Sequence, residues 1–493
     1  MKMRKFIYVL LLLLLTFQAA VAQQPGEVSF HDESVMPAGI KGERIEAVIT
    51  VVNANDPDRL REFLEKYCTE RFRNFAPMDQ HIDVFLGLFQ ETGGMDFHSI
   101  RTYVPERKGE TVVILKDRNF GSWRAFVMRL DEKNDSLISG LNFTIARIPS
   151  NVQEPALNEE QFLQNLKDMM EGLIKKNVFS GTLLIAKGDK ILMTSVGGEA
   201  SKRFHVPNNI DTKFNLGSMN KMFTATSIMQ LVEKGSLSLD DPISKYVDKS
   251  WLPAEITSKV TIHHLLTHTS GLGSYFNETY MKGSRELFRY VGNFKSLVNG
   301  EKLAFEPGKR FQYSNTGMLL LGVVIESVTG GSYFDYIQKN IYEPSGMTDS
   351  DSYEMDYPVE NLAIGYSRDR NSLYGWQNNL YKHVIKGGPA GGGFSTVKDL
   401  HRFARATQTG KLVSQESLNK MWKDYAGEYY GYGFTVEEGP NGKVVGHSGG
   451  FDGINSNLNI YLDKGYIVAV MSNYDNGASP IAQKIGQLLA RVR

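Results

Sequence analysis

A polar stretch near residue 150, Ile148-Pro149-Ser150-Asn151-Val152-Gln153-Glu154-Pro155, interrupts the periodicity on either side of it with two prolines. Neither a helix nor a central strand runs through such a segment, because each proline fixes its own φ and lacks a backbone donor. The chain must therefore build a separate core on each side. Its 493 residues, 41% of them hydrophobic, are enough for two. We read the stretch as a linker between domains at 27–150 and 158–493.

Before the break, residues 43–52, 56–72 and 79–91 carry apolar side chains at helical spacing, as in Leu60, Phe63, Leu64 and Tyr67. Residues 99–104, 111–115, 123–129 and 136–148 then alternate apolar and polar and end in turn-forming clusters. Helices followed by an antiparallel sheet predict a small α+β domain, whose element order is similar to the cone-shaped folds of the nuclear-transport-factor type. The single cysteine of the chain, Cys68, excludes an intrachain disulfide and reads as a small buried side chain on a helix.

After the break, Phe162, Leu163, Leu166, Met169, Met170 and Leu173 mark an amphipathic helix. Residues 179–186 and 190–193 read as a hairpin around Lys187-Gly188-Asp189. Helical patterns dominate until strands near 443–447, 457–462 and 465–472 and a last helix at 479–491. Strands and helices at both ends of this region predict one sheet completed by distant parts of the chain, with an all-helical insertion between them.

At the N-terminus, Lys2, Arg4 and Lys5 precede an apolar run over 6–15, followed by Ala20-Val21-Ala22. This is the pattern of a signal peptide, residues 1–22, with cleavage expected after Ala22. A periplasmic or secreted protein follows, with no membrane insertion once the signal is removed. Lysine plus arginine equals aspartate plus glutamate at 55 each, so no excess charge points to nucleic acid.

The chemistry begins at Gly217-Ser218-Met219-Asn220-Lys221, which opens an apolar helical segment. Residues three apart on a helix are neighbours, so the Lys221 amine can reach the Ser218 hydroxyl. A charged lysine cannot accept a proton, so the site must desolvate Lys221. The spacing alone does not choose the nucleophile, because Ser395 to Lys398 and Ser417 to Lys420 share it. Only Ser218 combines a preceding glycine with a long apolar helix. Tyr313-Ser314-Asn315 and His447-Ser448-Gly449 follow in the chain, although Tyr275-Phe276-Asn277 and Tyr474-Asp475-Asn476 also fit the Tyr-x-Asn pattern. Glu306-Pro307-Gly308 and Phe311 precede Tyr313, and Gly317, Leu319-Leu320-Leu321-Gly322 and Glu326 follow it.

Together with Leu265-Leu266-Thr267-His268-Thr269-Ser270-Gly271-Leu272 and Gly391-Gly392-Gly393-Phe394-Ser395-Thr396, this set resembles the serine β-lactamase and penicillin-binding superfamily. It looks like the class C branch, which includes D,D-carboxypeptidases, D-amino-acid amidases and carboxylesterases. The resemblance covers about residues 160 to 490. It implies a β-lactamase-like α/β sandwich, an antiparallel sheet with terminal helices plus an all-helical subdomain, preceded here by the small α+β domain.

For the site, the resemblance implies a Ser218 acyl-enzyme with Lys221 and Tyr313 managing the proton, and no metal or cofactor. Oxyanion donors would be the Ser218 and Gly450 N–H groups, Asn315 would orient the substrate amide or the Lys221 amine, and Ser448 and Gly449 would position the substrate. A Tyr313 phenolate would need two flanking cations, Lys221 and a protonated His447; which of Lys221 and Tyr313 takes the first proton stays open. Histidine at 447, where β-lactamases usually carry lysine, points away from a lactamase proper and leaves a D-configured peptide and a neutral ester open. A D,D-carboxypeptidase, a cell-envelope substrate, an inactive binding module and a binder delivered by the first domain are the competing readings, and the oligomeric state is open.

Three other features read as structural. His264 and His268 stand four apart but lack a third metal ligand at protease spacing. Residues 387–393, Gly387-Gly388-Pro389-Ala390-Gly391-Gly392-Gly393, form a tight loop lining the cleft. Tyr425, Tyr429, Tyr430, Tyr432 and Phe434 shape either a substrate pocket or a strand on the core.

Overall fold

The structure is a computed structural model that describes residues 29–493, so the signal peptide read at 1–22 lies outside the described residues. The chain divides between Ala156 and Leu157 into two units, each with its own core.

In the first unit, strand β1 (Ser29–Glu33) precedes helices α1 (Ile40–Ala54), α2 (Pro57–Tyr67), α3 (Glu70–Arg73) and α4 (Met78–Thr92). Strands β2 (Met95–Val104), β3 (Thr111–Asp117), β4 (Trp123–Leu130) and β5 (Ile138–Ile145) follow. The helix starts are written in the side chains. Asp56 accepts from the Asp58 and Arg59 N–H groups at α2, and Thr69 from the Phe72 N–H at α3. The sheet is antiparallel in the order β1-β2-β3-β4-β5. Alternation sends Val113, Leu115, Phe126 and Met128 into the core with Ile45, Val48, Leu60, Leu64, Ile82 and Phe85. Cys68 closes α2, and burial pushes its thiol up to about 12.

Two features of this unit differ from expectation. β1 is too short and polar to announce itself, yet its Asp32 is fully buried on Arg101, with Nε to Oδ1 at 2.9 Å. The stretch read as a linker is also part of the unit. The Arg147 carbonyl accepts from Arg101 at 3.0 Å, the Ser150 N–H donates to Asp32 at 2.7 Å, and Trp123 Nε1 donates to Glu154 at 3.1 Å. Val152 packs against Val112, Ile114 and Trp123 on the face of the sheet away from the helices. The prolines end regular structure without freeing the chain, because its side chains and carbonyls find partners on the sheet.

The second unit opens with α5 (Glu159–Lys175), started by a capping box between Asn158 and Gln161. It continues through β6 (Gly181–Lys187), β7 (Lys190–Gly197), α6 (Asn220–Glu233), α7 (Asn315–Thr329) and α8 (Val397–Gln408). It ends with β8 (Thr435–Gly439), β9 (Gly442–Phe451), β10 (Ile454–Tyr461), β11 (Tyr466–Ser472) and α9 (Ser479–Leu489). The six-stranded antiparallel sheet runs β8-β9-β10-β11-β6-β7, so the first hairpin and the last strands complete one sheet. This is the mixed α+β architecture expected. α6 is buried on every face from Asn220 to Leu231, as a helix through the middle of a large core must be.

The insertion is not all-helical. Short strands Phe214–Asn215 and Phe394–Ser395 pair with each other, as do Tyr366–Arg368 and Trp376–Asn378. These pieces of two or three residues are too brief to show a period in sequence. The aromatic cluster at 425–434 likewise precedes β8 rather than forming a strand, because Gly427 and Tyr429 take positive φ and turn the chain.

Candidate active site

Ser218 sits in a single turn of 3-10 helix, Gly217–Met219, that leads directly into α6. Its N–H lies in the first turn, where no intrahelical acceptor exists. Gly217 has φ +51°, and a Cβ there would stand 2.9 Å from the Gly450 nitrogen and the Gly449 Cα. Only glycine lets β9 pass this close to the nucleophile turn.

One helical turn on, Lys221 Nζ lies 3.1 Å from Ser218 Oγ and donates to the Ala390 carbonyl. Lys221 is 0% exposed, and burial drives its pKa well below the ordinary lysine value. Desolvation thus favours the neutral amine, the form whose lone pair can take the serine proton. The glycine loop supplies the walls. Asn220 Nδ2 donates to the Gly388 carbonyl at 2.6 Å, Thr224 Oγ1 to Pro389 at 2.8 Å, and the Gly392 N–H to Gly217 at 3.0 Å. Three successive carbonyls, from Gly388 to Ala390, hold Asn220, Lys221 and Thr224.

Tyr313 comes from the segment just before α7, which Ser314 caps by accepting from the Gly317 N–H at 2.8 Å. The phenol is hydrogen-bonded to the Ser218 side chain, and Lys221 Nζ stands 4.8 Å from the ring centroid. Burial raises the Tyr313 pKa above its usual value, partly offset by the Ser218 bond. His447, on β9, is 4% exposed, and its pKa falls to about 3 through burial and, secondarily, the nearby Lys221. Its Nδ1 donates to the Ser448 carbonyl at 2.5 Å, which leaves Nε2 to accept from the Tyr430 hydroxyl at 3.0 Å. Burial thus works against the two-cation arrangement that a Tyr313 phenolate would need: it depresses the Lys221 and His447 pKa values and raises that of the Tyr313 phenol.

On β9, the Asp452-Gly453 turn makes Phe451 and Ile454 the first hydrogen-bonded pair with β10. Alternation then turns the Ser448 and Gly450 N–H groups away from β10. Pairing with β8 ends at Gly446, so this edge is open, and it faces the Ser218 turn. Gly450 is exposed and can serve as the second oxyanion donor beside Ser218.

Residues 161–491 match the beta-lactamase family model. The chain belongs to the beta-lactamase family. It is 32% identical over 327 residues to a penicillin-binding protein of Bacillus subtilis (strain 168), covering 63% of this chain and 71% of the relative. The crystal structure of a penicillin binding protein from Bacillus halodurans superposes with a TM-score of 0.60 at 32% identity, over 65% of this chain and 98% of that one. A D-stereospecific amidohydrolase from Streptomyces sp. gives a TM-score of 0.54 at 26% identity, over 64% and 96%. The protein is thus a beta-lactamase-related serine hydrolase.

Within this beta-lactamase family member, the competing motifs separate cleanly. Lys398 pairs with Asp211, while Ser395 Oγ bonds Ser350 at 2.7 Å. Ser417 bonds Glu233 at 2.5 Å, while Lys420 bonds Glu416 at 2.9 Å. Tyr275 is buried among aromatic rings, and the Tyr474 hydroxyl donates to Asn177 at 2.7 Å.

Asn315 does not hold Lys221. Its Nδ2 donates to Ser274 Oγ at 3.2 Å, and the Ala390 carbonyl takes the lysine instead. Gly449 is not free to position substrate, since a Cβ there would stand 2.0 Å from the Leu216 carbonyl. Ser448 remains partly exposed on the open edge. His264 belongs to a capping box with Thr261, and His268 accepts from the Ser314 N–H at 3.2 Å, so the two histidines serve different elements.

Two contributors escaped the sequence reading. The buried His268 ring packs 4.4 Å from Tyr313 and 4.6 Å from Tyr430, and Tyr430 donates to the Nε2 that the Ser448 carbonyl leaves as an acceptor on His447. Both lie in stretches singled out for other reasons, and only their convergence on Tyr313 and His447 reveals the connection.

Proposed function

We propose that the protein is an exported serine hydrolase that transfers the acyl group of an ester or amide, a small ester or a D-amino-acid peptide, to Ser218. The observation that carries this reading is the fully buried Lys221 amine 3.1 Å from Ser218 Oγ, tethered by the Ala390 carbonyl. Lys221 accepts the serine proton as the oxygen attacks. The developing oxyanion is met by the Ser218 and Gly450 N–H groups, a contribution of about 3 to 4 kcal/mol per donor in comparable sites. Tyr313, kept protonated, hands its proton to the leaving atom and recovers one from Lys221. Water then repeats the steps in reverse.

Two considerations favour this substrate range over a lactam. A lactam substrate carries a carboxylate, and His447 stands where a lysine would offer it a permanent cation. A relative described as a D-stereospecific amidohydrolase keeps amides of D-amino acids in view. The test is to treat the protein and Ser218→Ala with a fluorophosphonate probe, a short acyl nitrophenyl ester, a D-Ala-D-Ala peptide and a chromogenic cephalosporin. Probe labelling and ester or amide turnover only with Ser218 are expected; equal labelling of both proteins overturns the mechanism.

A second reading gives the first unit a delivery role. Residues before 161 lie outside the family match, and that unit has its own core. A truncation that keeps Leu157, whose N–H donates to Arg491 at 2.9 Å, is expected to retain small-ester turnover and lose activity on a natural substrate. Loss of both activities rejects delivery.

A further inference from the structure

We propose that Phe276 and Phe451 form the subsite for the acyl part of the substrate, and that this subsite takes an uncharged apolar or aromatic group. The inference rests on the Ser218 acyl-enzyme reading above and adds the class of acyl group.

The two rings are stacked 5.9 Å apart, 24° from parallel, and both are partly exposed. Phe451 immediately follows Gly450, the second oxyanion donor. Phe276 lies two residues beyond Ser274, which receives the Asn315 amide. The pair therefore joins the edge strand of the sheet to the loop beside Asn315.

Direction along β9 assigns the pair to the acyl side. During acylation the Ser218 Oγ to carbonyl-carbon bond forms and the bond to the leaving atom breaks. The serine proton goes to Lys221, and the leaving atom takes one from Tyr313. The leaving group must therefore lie beside Tyr313, whose ring is 6.4 Å from that of His447. His447 and Phe451 are four residues apart on one strand face, about 13 Å along it. With the leaving group at the His447 end, the rest of the substrate extends past Gly450 towards Phe451.

The surroundings hold the two rings in place and pair the charge next to Phe451. Phe276 is backed by Tyr275 at 4.6 Å and by Tyr280 edge-on at 4.8 Å. Next to Phe451, Asp452 is held through its carbonyl by Asn379 at 2.9 Å and through its carboxylate by Lys382 at 2.6 Å. Lys382 is thereby neutralised by its own partner. The exposed edges of two fixed, mutually stacked rings suit an apolar or aromatic group, which meets ring edges favourably.

The test measures second-order labelling of the full chain by fluorophosphonates bearing methyl, butyl, benzyl or carboxyethyl on phosphorus. In this reaction the Ser218 oxygen to phosphorus bond forms and fluoride leaves, so the substituent occupies the acyl position without requiring turnover. Benzyl is expected to label about 10-fold faster than methyl, and carboxyethyl more slowly than butyl. Phe276→Ala and Phe451→Ala are expected to reduce the benzyl-to-methyl ratio about 5-fold or more. Phe276→Leu, which keeps an apolar side chain, is expected to retain the butyl preference and lose the benzyl one. A ratio that stays the same in these variants, or a preference for carboxyethyl, overturns the subsite. No labelling of the unaltered protein by any probe overturns the acyl-enzyme reading instead.

Discussion

Ser218 to Lys221 and Ser417 to Lys420 have the same spacing, and each lies at the start of a helix in the same unit, yet their lysines differ completely. Lys221 is sealed in the core, bonded to a backbone carbonyl, and desolvation depresses its pKa. Lys420 lies on the surface beside Glu416, whose hydrogen bond and charge raise its pKa. Ser417 caps nothing catalytic, since its hydroxyl is bonded to Glu233. Spacing brings a lysine to a serine. Burial decides whether that lysine is a base or a cation.

This contrast can be broken most directly at the nucleophiles. Ser218→Ala is expected to abolish covalent labelling by a fluorophosphonate, while Ser417→Ala labels like the unaltered protein; labelling lost at Ser417 would equate the two sites. Lys221→Met is expected to lower acylation by about 10²- to 10⁴-fold, and Lys420→Met to leave it unaltered. The same pair sharpens the comparison in stability. A lysine with a depressed folded pKa takes up protons on unfolding, so it destabilises the native state below its unfolded pKa, and the penalty fades as pH rises towards 10.5. Lys221→Met should therefore melt higher at neutral pH, by about 2 to 4 °C for each kcal/mol regained, with the gain shrinking at alkaline pH. A gain independent of pH would show that Lys221 is not the titrating group.

Tyr313→Phe removes the proton donor while keeping the ring against His268 and is expected to cost about 10²-fold in kcat on esters with good geometry and poor leaving groups. A smaller loss with nitrophenyl leaving groups, which need little protonation, would support the donor role, and equal losses would refute it. Tyr430→Phe leaves His447 Nε2 without its donor in a buried site. About 1 kcal/mol of stability and less than 10-fold in activity are expected to be lost, read by melting and ester turnover.

The last comparison is in acid sensitivity. His447, depressed to about 3, stays neutral in the folded state while the unfolded chain protonates near 6.5. Its contribution is intact above 6.5 and declines as pH falls from there towards 3, at up to about 1.4 kcal/mol per pH unit. His447→Gln should flatten that slope in a denaturation series from pH 7 to pH 4; an unchanged slope would place the titration elsewhere.

Much of the architecture was legible along the chain because it is local. Asp56 and Asn158 mark helix starts in their own side chains, and the apolar runs at 111–115 and 465–472 mark strands, whereas the break at Thr69 inside the stretch read as one helix over 56–72 did not show. β1 and the two-residue strands of the insertion were not legible, since a pattern needs several repeats to appear. The stretch at 148–155 was read as an irregular linker, and the sequence did not show that it is anchored on the first unit. Prolines report the loss of backbone regularity, whereas the anchoring of Ser150 on Asp32 and of Glu154 on Trp123 depends on residues far away in sequence.

At the site, sequence alone determined which residues can carry the chemistry: Ser218, Lys221, Tyr313 and His447, each identified by residue type and flanking motif. Tertiary structure alone decided what biases their protons. The same sealed core depresses the Lys221 and His447 pKa values, raises that of Tyr313, and gives Lys221 to the Ala390 carbonyl rather than to Asn315. A side chain's reactive groups are covalent and travel with the sequence. The solvent it loses and the partner it meets are supplied by residues hundreds of positions away, and those set whether the proton stays or leaves.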